Sequence, residues 1–330
     1  MDWSNILSNA LRSAVGLETV VYALAAIGLN LHFGYAGLLN FGQAAFVAVG
    51  AYGIAVTVVT VGLPFGVGIV VGIVGAILLA LVLGVPTLRL RADYLAIATI
   101  AAAEIVRLVF RSATLGDYTG GSDGLQAFDR GFYAINPFPD GTYGISPWRF
   151  NERTTWVLVV GWALVVISCV VVWLLMRSPW GRVLKGIRED EDAVRSLGKN
   201  VYAYKMQALV LGGVIGSLAG FIFALGRAAV QPDLYGTAFT FFAYTVLLLG
   251  GAARVLGPVV GAAVFWVVLS LTDNLLSQAV QNDYIPTSIM STTQVGQVRF
   301  MLVGLALMLL MIFRPQGIFG DKKEIAINAR

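Results

Sequence analysis

Residues 19–88 read TVVYALAAIGLNLHFGYAGLLNFGQAAFVAVGAYGIAVTVVTVGLPFGVGIVVGIVGAILLALVLGVPTL, a run of 70 residues without Asp, Glu, Lys or Arg. Over the whole chain of 330 residues, 58% are hydrophobic and 12% are charged, which is about half the charge of an average soluble domain. No single soluble core can bury so much apolar surface and keep a polar exterior. The composition therefore predicts a polytopic membrane protein. It excludes a water-soluble enzyme, a nucleic-acid-binding domain and a disordered protein.

Similar apolar stretches continue along the chain. A helix that crosses the hydrocarbon layer of a membrane needs about 20 apolar residues. Nine stretches approach this length, at residues 17–33, 41–63, 64–85, 93–111, 155–176, 206–226, 239–253, 256–272 and 298–313. Because several are short or rich in glycine, the sequence allows eight to ten spans with short or broken helices among them. We predict an all-α transmembrane helical bundle of about nine spans, formed as a single domain over residues 1–330.

Glycine accounts for 38 of the 330 residues, more than the roughly 7% of average proteins. Several glycines are four positions apart, as in Gly212-x-x-x-Gly216-x-x-x-Gly220. Small residues at this spacing let helix backbones approach each other closely in lipid. Static packing explains the pattern, and smooth faces would also let helices slide in a gated pathway. The spacing alone does not separate the two explanations.

The distribution of Lys and Arg predicts the orientation in the membrane. Residues 177–205 hold seven of them and the tail 314–330 holds four, whereas residues 273–297 hold none and residues 112–154 hold three against five acids. Basic segments remain on the cytoplasmic side. We therefore expect the loop 178–205 and the C-terminal tail in the cytoplasm and the other two segments outside. Alternating nine spans leaves the N-terminus outside, unless a half-helix near residues 34–43 reverses that end.

The segment 112–154 is too long for a simple connection between two spans. It carries eight aromatic residues, seven glycines and three prolines over 43 positions. We interpret it as an ordered external cap that docks a partner or shields an entrance. A surface loop without a specific role is the alternative.

The sequence offers little chemistry for catalysis. A P-loop, a His-Glu-x-x-His motif and a Cys-x-x-Cys motif are absent, so it carries no such signature of ATP hydrolysis, zinc proteolysis or thiol redox chemistry. His32 is the single histidine and Cys169 the single cysteine, which excludes a histidine cluster for metal and an intrachain disulfide. We expect that the chain by itself is not an enzyme and holds no metal and no cofactor.

Polar side chains within the apolar stretches are candidates for a substrate path, because they are costly in hydrocarbon and usually face the bundle interior. Glu104 and Arg107 share one helix face; a structural ion pair is the alternative. The amides near Gly34 and Gly37 sit where a broken helix could expose backbone groups to the charged ends of an amino acid, and helix packing is equally compatible. The candidate set is Asn30, Asn40, Gln43, Tyr94, Glu104 and Gln207.

The segment SPWGRVLKGIREDEDAVRSLG, residues 178–198, combines a partial apolar stripe with a dense block of alternating charge. Pro179 can start a helix and Gly198 can end one, and the residues between them are compatible with a helix. A solvated connector would not need both features. A helix that lies at the membrane surface and is presented to another protein would need them, so we predict partner docking here.

Residues 181–198 of this segment, followed by Tyr204-Lys205, resemble the cytoplasmic loop of branched-chain amino-acid ABC importer permeases of the LivM type. Four further blocks resemble this family in the family's order: residues 34–52, 88–99 with 104–107, 119–124 and 249–263. The similarity covers roughly residues 15–320. Ala252-Ala253-Arg254 departs from the pattern, since glycine and a small residue are expected there, which makes helix packing at that point less certain.

The resemblance implies partners and a mechanism. Such permeases pair with a LivH-like sister permease and sit on two LivG/LivF-like ATPase subunits that bind ATP and Mg²⁺, and an extracytoplasmic amino-acid-binding protein delivers the substrate. The protein would lie in the bacterial inner membrane, in contact with lipid and not with nucleic acid. The loop 178–198 would be the coupling helix, seated on an ATPase subunit. The coupling residues implied are Arg188, Glu189, Asp190, Glu191, Asp192, Ala193 and Gly198.

Three alternatives to an importer of branched-chain amino acids stay open at this point. A permease of the same family for urea or a short-chain amide would need a smaller and more polar passage. An ion-coupled secondary transporter would need no coupling helix and would usually place an ionisable group at mid-membrane. An integral membrane enzyme is disfavoured, because no catalytic cluster is found.

Overall fold

The computed structural model describes residues 2–90, 92–282, 294–313 and 316–320. Its α-helices are α1 Trp3–Ser13, α2 Leu17–Leu29, α3 Gln43–Ala55, α4 Phe65–Thr87, α5 Ala92–Arg111, α6 Gly116–Thr119, α7 Arg130–Tyr133, α8 Glu152–Arg177, α9 Pro179–Glu189, α10 Glu191–Ser196, α11 Val201–Arg227, α12 Thr237–Gly250, α13 Gly257–Gln281 and α14 Val295–Phe313. π-Helical turns follow α2 at Asn30–Tyr35 and α3 at Val56–Thr60, and 3₁₀ turns lie at Ala113–Leu115 and Pro232–Tyr235. Strands β1 Leu125–Gln126 and β4 Ala229–Val230 pair antiparallel, as do β2 Thr142–Tyr143 and β3 Phe150–Asn151.

This architecture confirms an all-α polytopic membrane protein. Six helical segments in the described part of the chain are long and apolar enough to cross a membrane: Trp3–Tyr35, Gln43–Thr60, Phe65–Thr87, Glu152–Arg177, Val201–Arg227 and Gly257–Gln281. The helices α5, α12 and α14 lie where the sequence predicted three further spans. Of these, α12 has only 14 residues, fewer than the roughly 20 that a span needs.

The helix boundaries differ from the predicted ones at three places. The helix α1 was not predicted, because it alternates polar and apolar residues and escapes a search for apolar runs. α12 ends at Gly250, since the next residue, Gly251, adopts a φ of 107° and turns the chain. α13 continues to Gln281, nine residues past the apolar run, through polar residues that include Asp273. Asp273 forms a 2.9 Å ion pair with Arg299 of α14.

The core of the bundle is built where α2, α3 and α11 approach each other backbone to backbone. A Cβ atom at Gly28 would lie 2.3 Å from the Gly212 carbonyl oxygen, and one at Gly220 would lie 2.0 Å from the Val47 carbonyl oxygen. Such distances leave no room for a side chain. The glycine spacing in α11 therefore serves close helix packing.

The two ends of α2 define two faces of the bundle. At its beginning, Glu18 accepts a 2.6 Å hydrogen bond from Arg227 at the end of α11. We call this end the loop face; it includes residues 112–151. At the other end, Gly34 contacts Arg188 of α9. We call this end the α9 face; it includes residues 178–200. The basic loop and the long aromatic loop thus lie at opposite ends of the bundle.

Residues 112–151 fold back onto the helices of the loop face. Tyr118 accepts a hydrogen bond from Thr60 through its backbone oxygen at 2.9 Å, and the Tyr133 hydroxyl donates to the Leu225 carbonyl at 3.1 Å. Trp148 donates its indole N–H to the carbonyl oxygen of Leu11 at 2.8 Å, so α1 lies on the same face as this loop. These contacts tie the segment to α1, α11 and the end of α3.

On the opposite side, residues 316–320 pack against the end of α12. The backbone N–H groups of Ile318 and Phe319 donate to the carbonyl oxygens of Leu249 and Gly250 at 2.9 and 3.1 Å. Of the predicted tail 314–330, residues 314–315 and 321–330 lie outside the described part of the chain. Residues 283–293 of the predicted external segment 273–297 also lie outside it.

Candidate functional site

The segment 178–198 begins with an amphipathic helix, α9, on the α9 face. Ser178 caps its beginning by accepting a hydrogen bond from the N–H of Gly181, and Pro179 occupies the first turn, where its missing N–H costs nothing. Leu184 and Ile187 are buried against the bundle. The polar side of α9 points away from them, as partner docking requires.

The helix does not continue to Gly198. Asp190 has a φ of −152° and interrupts it, and its carboxylate accepts a 2.9 Å hydrogen bond from the N–H of Ala193. Asp190 is therefore the N-cap of a second helix, α10, rather than an interior residue of one long helix. The uninterrupted helix that the residues allowed is divided in two, because an Asp side chain competes with the helical backbone for its N–H groups.

The charges of α10 are partly used to hold it in place. Glu191 binds Lys205 of α11 and, at 2.9 Å, Arg195; Asp192 binds Arg195 at 2.8 Å. The outer edge is left open: Leu197 is 79% exposed. The remaining coupling residues Glu189, Ala193 and Gly198 are exposed as well. This edge presents one apolar side chain within a charged rim.

Arg188 connects α9 to the end of α2. Its Nη1 donates a 2.6 Å hydrogen bond to the Gly34 carbonyl oxygen. Its side chain also lies against Gly37, where a Cβ atom would be 3.3 Å from the Arg188 Cγ and the φ of 68° favours glycine. A displacement of α9 would therefore act directly on residues 34–37.

Between α2 and α3 the chain is not helical over residues 36–42, and we call this segment the break. Within it, Asn40 accepts a 2.9 Å hydrogen bond from the N–H of Gly42 and donates through Nδ2 to Nδ1 of His32 at 3.0 Å. Nε2 of His32 lies 3.1 Å from the Leu209 carbonyl oxygen. That oxygen can only accept, so the Nε2 carries the proton and Nδ1 accepts from Asn40. The Tyr244 hydroxyl donates to the Asn40 carbonyl oxygen at 3.0 Å.

The other two predicted path amides also have backbone partners. Asn30 donates to the Arg254 carbonyl oxygen and accepts from the Ala253 N–H, each at 2.8 Å. Gln43 donates to the Ala25 carbonyl oxygen at 3.1 Å. Asn30, Asn40 and Gln43 are buried in the bundle interior. These contacts are those of helix packing, and a substrate role for these amides stays a prediction.

The remaining predicted path residues are dispersed. Tyr94 is exposed near the beginning of α5. Gln207 accepts a 2.7 Å hydrogen bond from the Trp180 indole N–H, beside α9. Glu104 lies towards the loop face. The six predicted residues therefore do not form one site.

Glu104 belongs to a cluster of charges at the loop-face end of α5. Arg107 donates through Nε to both Glu104 carboxylate oxygens at 3.0 Å. It also forms a 2.6 Å ion pair with Asp233, just before α12, and Arg111 binds the same carboxylate at 3.2 Å. Arg107 is 16% exposed and Asp233 is 60% exposed at the side chain. The cluster thus joins α5 to the start of α12 at an accessible surface.

Two buried tyrosines lie directly beside this cluster. The Tyr52 ring stacks on Phe110 of α5 at 4.0 Å between centroids, and the Tyr235 ring lies 6.3 Å from that of Tyr52. Within the described part of the chain, neither hydroxyl has a hydrogen-bond partner. A buried hydroxyl without a partner is costly. These two groups can therefore take up a polar ligand or water next to the charges.

The long helices differ in the polarity of their exposed side chains. The outward side chains of α4 and α8 are apolar, among them Val70, Val74, Leu78, Val166 and Val170. The exposed side of α5 and α12 mixes apolar residues such as Ile97, Ile105 and Phe241 with the charge cluster. The α5–α12 side is therefore more polar at its loop-face end than the outward sides of α4 and α8.

Comparison with known proteins shows the family of this chain. Residues 13–312 match the family model described as the permease component of branched-chain amino acid transport systems. The LivM high-affinity branched-chain amino acid permease protein of Escherichia coli K12 is 31% identical over 310 residues, covering 91% of this chain and 68% of that protein. This chain belongs to that permease family.

Two further likenesses span nearly the whole chain. A probable LivM permease protein of Methanocaldococcus jannaschii is 26% identical over 344 residues and covers 92% of each chain. Among solved structures, a chain of PsaBC from Streptococcus pneumoniae in complex with Fab covers 98% of this chain and 95% of that one, with 14% identity and a TM-score of 0.44.

Sequence reasoning about this permease missed three site residues: Asp233, Tyr52 and Tyr235. A signal existed for Asp233, because it is the only acid between Asp192 and Asp273, and an isolated acid in apolar sequence is costly unless it has a partner. No signal existed for the two tyrosines, whose position beside the cluster follows from helix packing alone.

Proposed function

We propose that this chain is the membrane-spanning permease subunit of an ATP-driven importer of branched-chain amino acids, and that its α5–α12 side lines the translocation path against a sister permease. ATP and Mg²⁺ are bound by separate ATPase subunits, so the chain has no enzymatic activity alone. The loop face lies outside and receives substrate from a binding protein. The α9 face and the C-terminus lie in the cytoplasm of a bacterial cell, in agreement with the excess of Lys and Arg there.

The observation that carries this proposal is the charge cluster on the exposed side of α5. Glu104, Arg107 and Asp233 occupy a surface that continues into apolar side chains. A path for a zwitterion with an aliphatic side chain needs both kinds of surface, and this side of α5 offers both. In this account the Arg107–Asp233 pair, which joins α5 to α12, is part of an outer gate that opens when the two helices separate.

The contact between Arg188 and Gly34 supports a route for coupling. The open edge of α10, with Leu197 at its tip, docks on an ATPase subunit. Movement of that subunit displaces α9, and Arg188 transmits the displacement to the end of α2. α2 packs against α11, α12 and α13, so the bundle responds as a unit to a displacement at its cytoplasmic end.

The test is to purify the tagged chain from its native membrane, identify the proteins that accompany it and reconstitute the assembly in liposomes. We expect two ATPase subunits and a second permease, and uptake of radiolabelled leucine that requires ATP and the external binding protein. Arg149→Gln, at an exposed arginine in the loop 112–151, serves as a control for Arg107→Gln, which should lower uptake.

Other outcomes would contradict the proposal in distinct ways. Leucine transport by the chain alone, without ATP, would identify a secondary transporter and remove the role of α9 and α10. ATP-dependent uptake of urea or a short-chain amide without leucine uptake would overturn the substrate assignment but retain the importer.

A further inference from the structure

A small cavity of about 230 Å³ lies on the loop face, away from the α5–α12 side. It is formed where the beginnings of α2 and α8 meet the end of α11 and the short helix α7. Its lining residues are Leu17, Asp129, Tyr133, Asn151, Arg153, Thr154, Val157, Leu158, Gly226, Arg227 and Ala228. The walls thus combine aliphatic side chains with one acid and two arginines.

The acid in this cavity has no partner of its own. Asp129 is only 8% exposed, and within the described residues no hydrogen bond or ion pair engages its carboxylate. Its backbone carbonyl is occupied, since it accepts from the N–H groups of Phe132 and Tyr133 at 3.0 and 3.1 Å. A carboxylate that is nine-tenths buried needs a cationic or hydrogen-bonding partner. The cavity is the space from which such a partner can reach it.

The two arginines are not equivalent. Arg227 is neutralised by its 2.6 Å ion pair with Glu18. Arg153 forms no ion pair among the described residues, and its guanidinium lies 5.0 Å above the centre of the Tyr133 ring. Burial raises the pKa of Tyr133, with a further upward contribution from Asp129 and a downward one from Arg153. The Asp129 carboxylate and the Arg153 guanidinium thus both influence the pKa of Tyr133, but they do not contact each other.

The helix ends around the cavity add to this separation of charge. α8 begins at Glu152 and has 26 residues, so its N-terminus contributes a partial positive charge beside Arg153. α11 ends at Arg227 after 27 residues, so its C-terminus contributes a partial negative charge. Such termini act as roughly half a unit charge each. The cavity therefore offers groups for an anion and for a cation.

We propose that this cavity binds one free aliphatic α-amino acid, with its ammonium group on Asp129, its carboxylate at Arg153 and the start of α8, and its side chain against Leu17, Val157 and Leu158. This proposal depends on the proposed function in two respects: the ligand belongs to the same class as the transported substrate, and the loop face lies outside. A lone ammonium would make no use of Arg153 or of the start of α8, and a lone carboxylate would be repelled by Asp129. A zwitterion satisfies both.

The test uses the assembled importer in nanodiscs, without its binding protein, and a cysteine inside the cavity. Thr154→Cys is introduced together with Cys169→Ser, which removes the native thiol, and the rate of labelling by a charged thiol reagent is measured with and without L-leucine. We expect saturable protection by leucine. Asp129→Asn should raise the leucine concentration for half protection by about tenfold, as loss of a charged hydrogen-bond partner predicts. Asp140→Asn, an exposed acid of the same loop, should leave it unchanged.

Arg153→Gln provides a second variant at an exposed position, in case Asp129→Asn does not fold, and should weaken protection similarly. Absence of protection at any leucine concentration would overturn the site. Equal protection by 3-methylbutan-1-amine, which is leucine without its carboxylate, would overturn the assignment to a zwitterion. It would indicate instead that the cavity binds the lysine side chain of a docking protein. ATP-driven leucine uptake by the same preparation tests the proposed function separately, so either can fail alone.

Discussion

Two regions place polar side chains among apolar helices: the break between α2 and α3, and the charge cluster on α5. The polar side chains of the two regions differ in burial and in the kind of partner that they bind. Asn40 and His32 are fully buried, and their side-chain hydrogen bonds end on backbone groups or on each other. Arg107 and Asp233 pair charge with charge across two elements at an exposed surface. A satisfied buried network fixes one structure, whereas an exposed ion pair contributes little stability and can open. The difference indicates that the first region holds the fold and the second is available for function.

Removing the central amide of the break is expected to have the largest effect on stability. Asn40→Ala leaves His32 Nδ1 and the N–H of Gly42 without their partner in a buried setting, which costs about 1–3 kcal/mol. Thermal unfolding of the purified permease would measure the loss. Gln126→Ala, at an exposed amide, should leave the transition unchanged. If both variants unfold at the wild-type temperature, the break does not hold the fold.

Breaking the charge cluster should change stability little and transport strongly. Arg107→Gln is expected to change stability by less than about 1 kcal/mol but to lower ATP-driven leucine uptake by about tenfold, through loss of a charge-assisted contact in one state of the gate. Asp233→Asn should lower uptake similarly, and adding it to Arg107→Gln should cause little further loss, because both changes remove the same ion pair. Unfolding of either single variant, or fully additive losses in the double variant, would count against a gate at this position.

The smallest effect on transport is expected at the ion pair that joins α10 to α11. Lys205→Gln removes the ion pair that joins α11 to Glu191, and the ratio of leucine transported to ATP hydrolysed should fall about twofold to fivefold, the size of a partly exposed pair. Lys199→Gln, at an exposed lysine three residues past the end of α10, should leave the ratio as it was. Equal ratios in both variants would show that this pair does not position α10.

How much of this could be predicted from sequence depends on the range of the interaction. Continuous apolar runs predicted the long helices, because burial in lipid requires length and hydrophobicity and little else. The charged segment 178–198 was predicted to be a docking element from its own residues and from family resemblance, and this role stays a prediction. Its division at Asp190 was not predicted, since an Asp is compatible both with a helix and with an N-cap.

The candidate site was predictable only in part, because some of its contacts join residues that are distant in sequence. Glu104 and Arg107 are close in sequence and on one helix face, so their pairing was expected. Asp233 lies 126 positions from Arg107, and only the packed bundle brings the two together. Asn30, Asn40 and Gln43 were singled out as polar groups within the apolar stretches, but the sequence could not tell which of them would find backbone partners, because those partners lie on other elements.

The central claim is that the α5–α12 side, unlike α4, faces a water-filled path. It is tested most directly by the reactivity of Ala101→Cys on α5 and Val74→Cys on α4, both exposed positions, each combined with Cys169→Ser in the reconstituted importer. A charged thiol reagent should label the cysteine at position 101 at a rate that changes with ATP turnover and should not label the one at position 74, which lipid covers. Labelling at position 74 with none at position 101 in any nucleotide state would contradict the account.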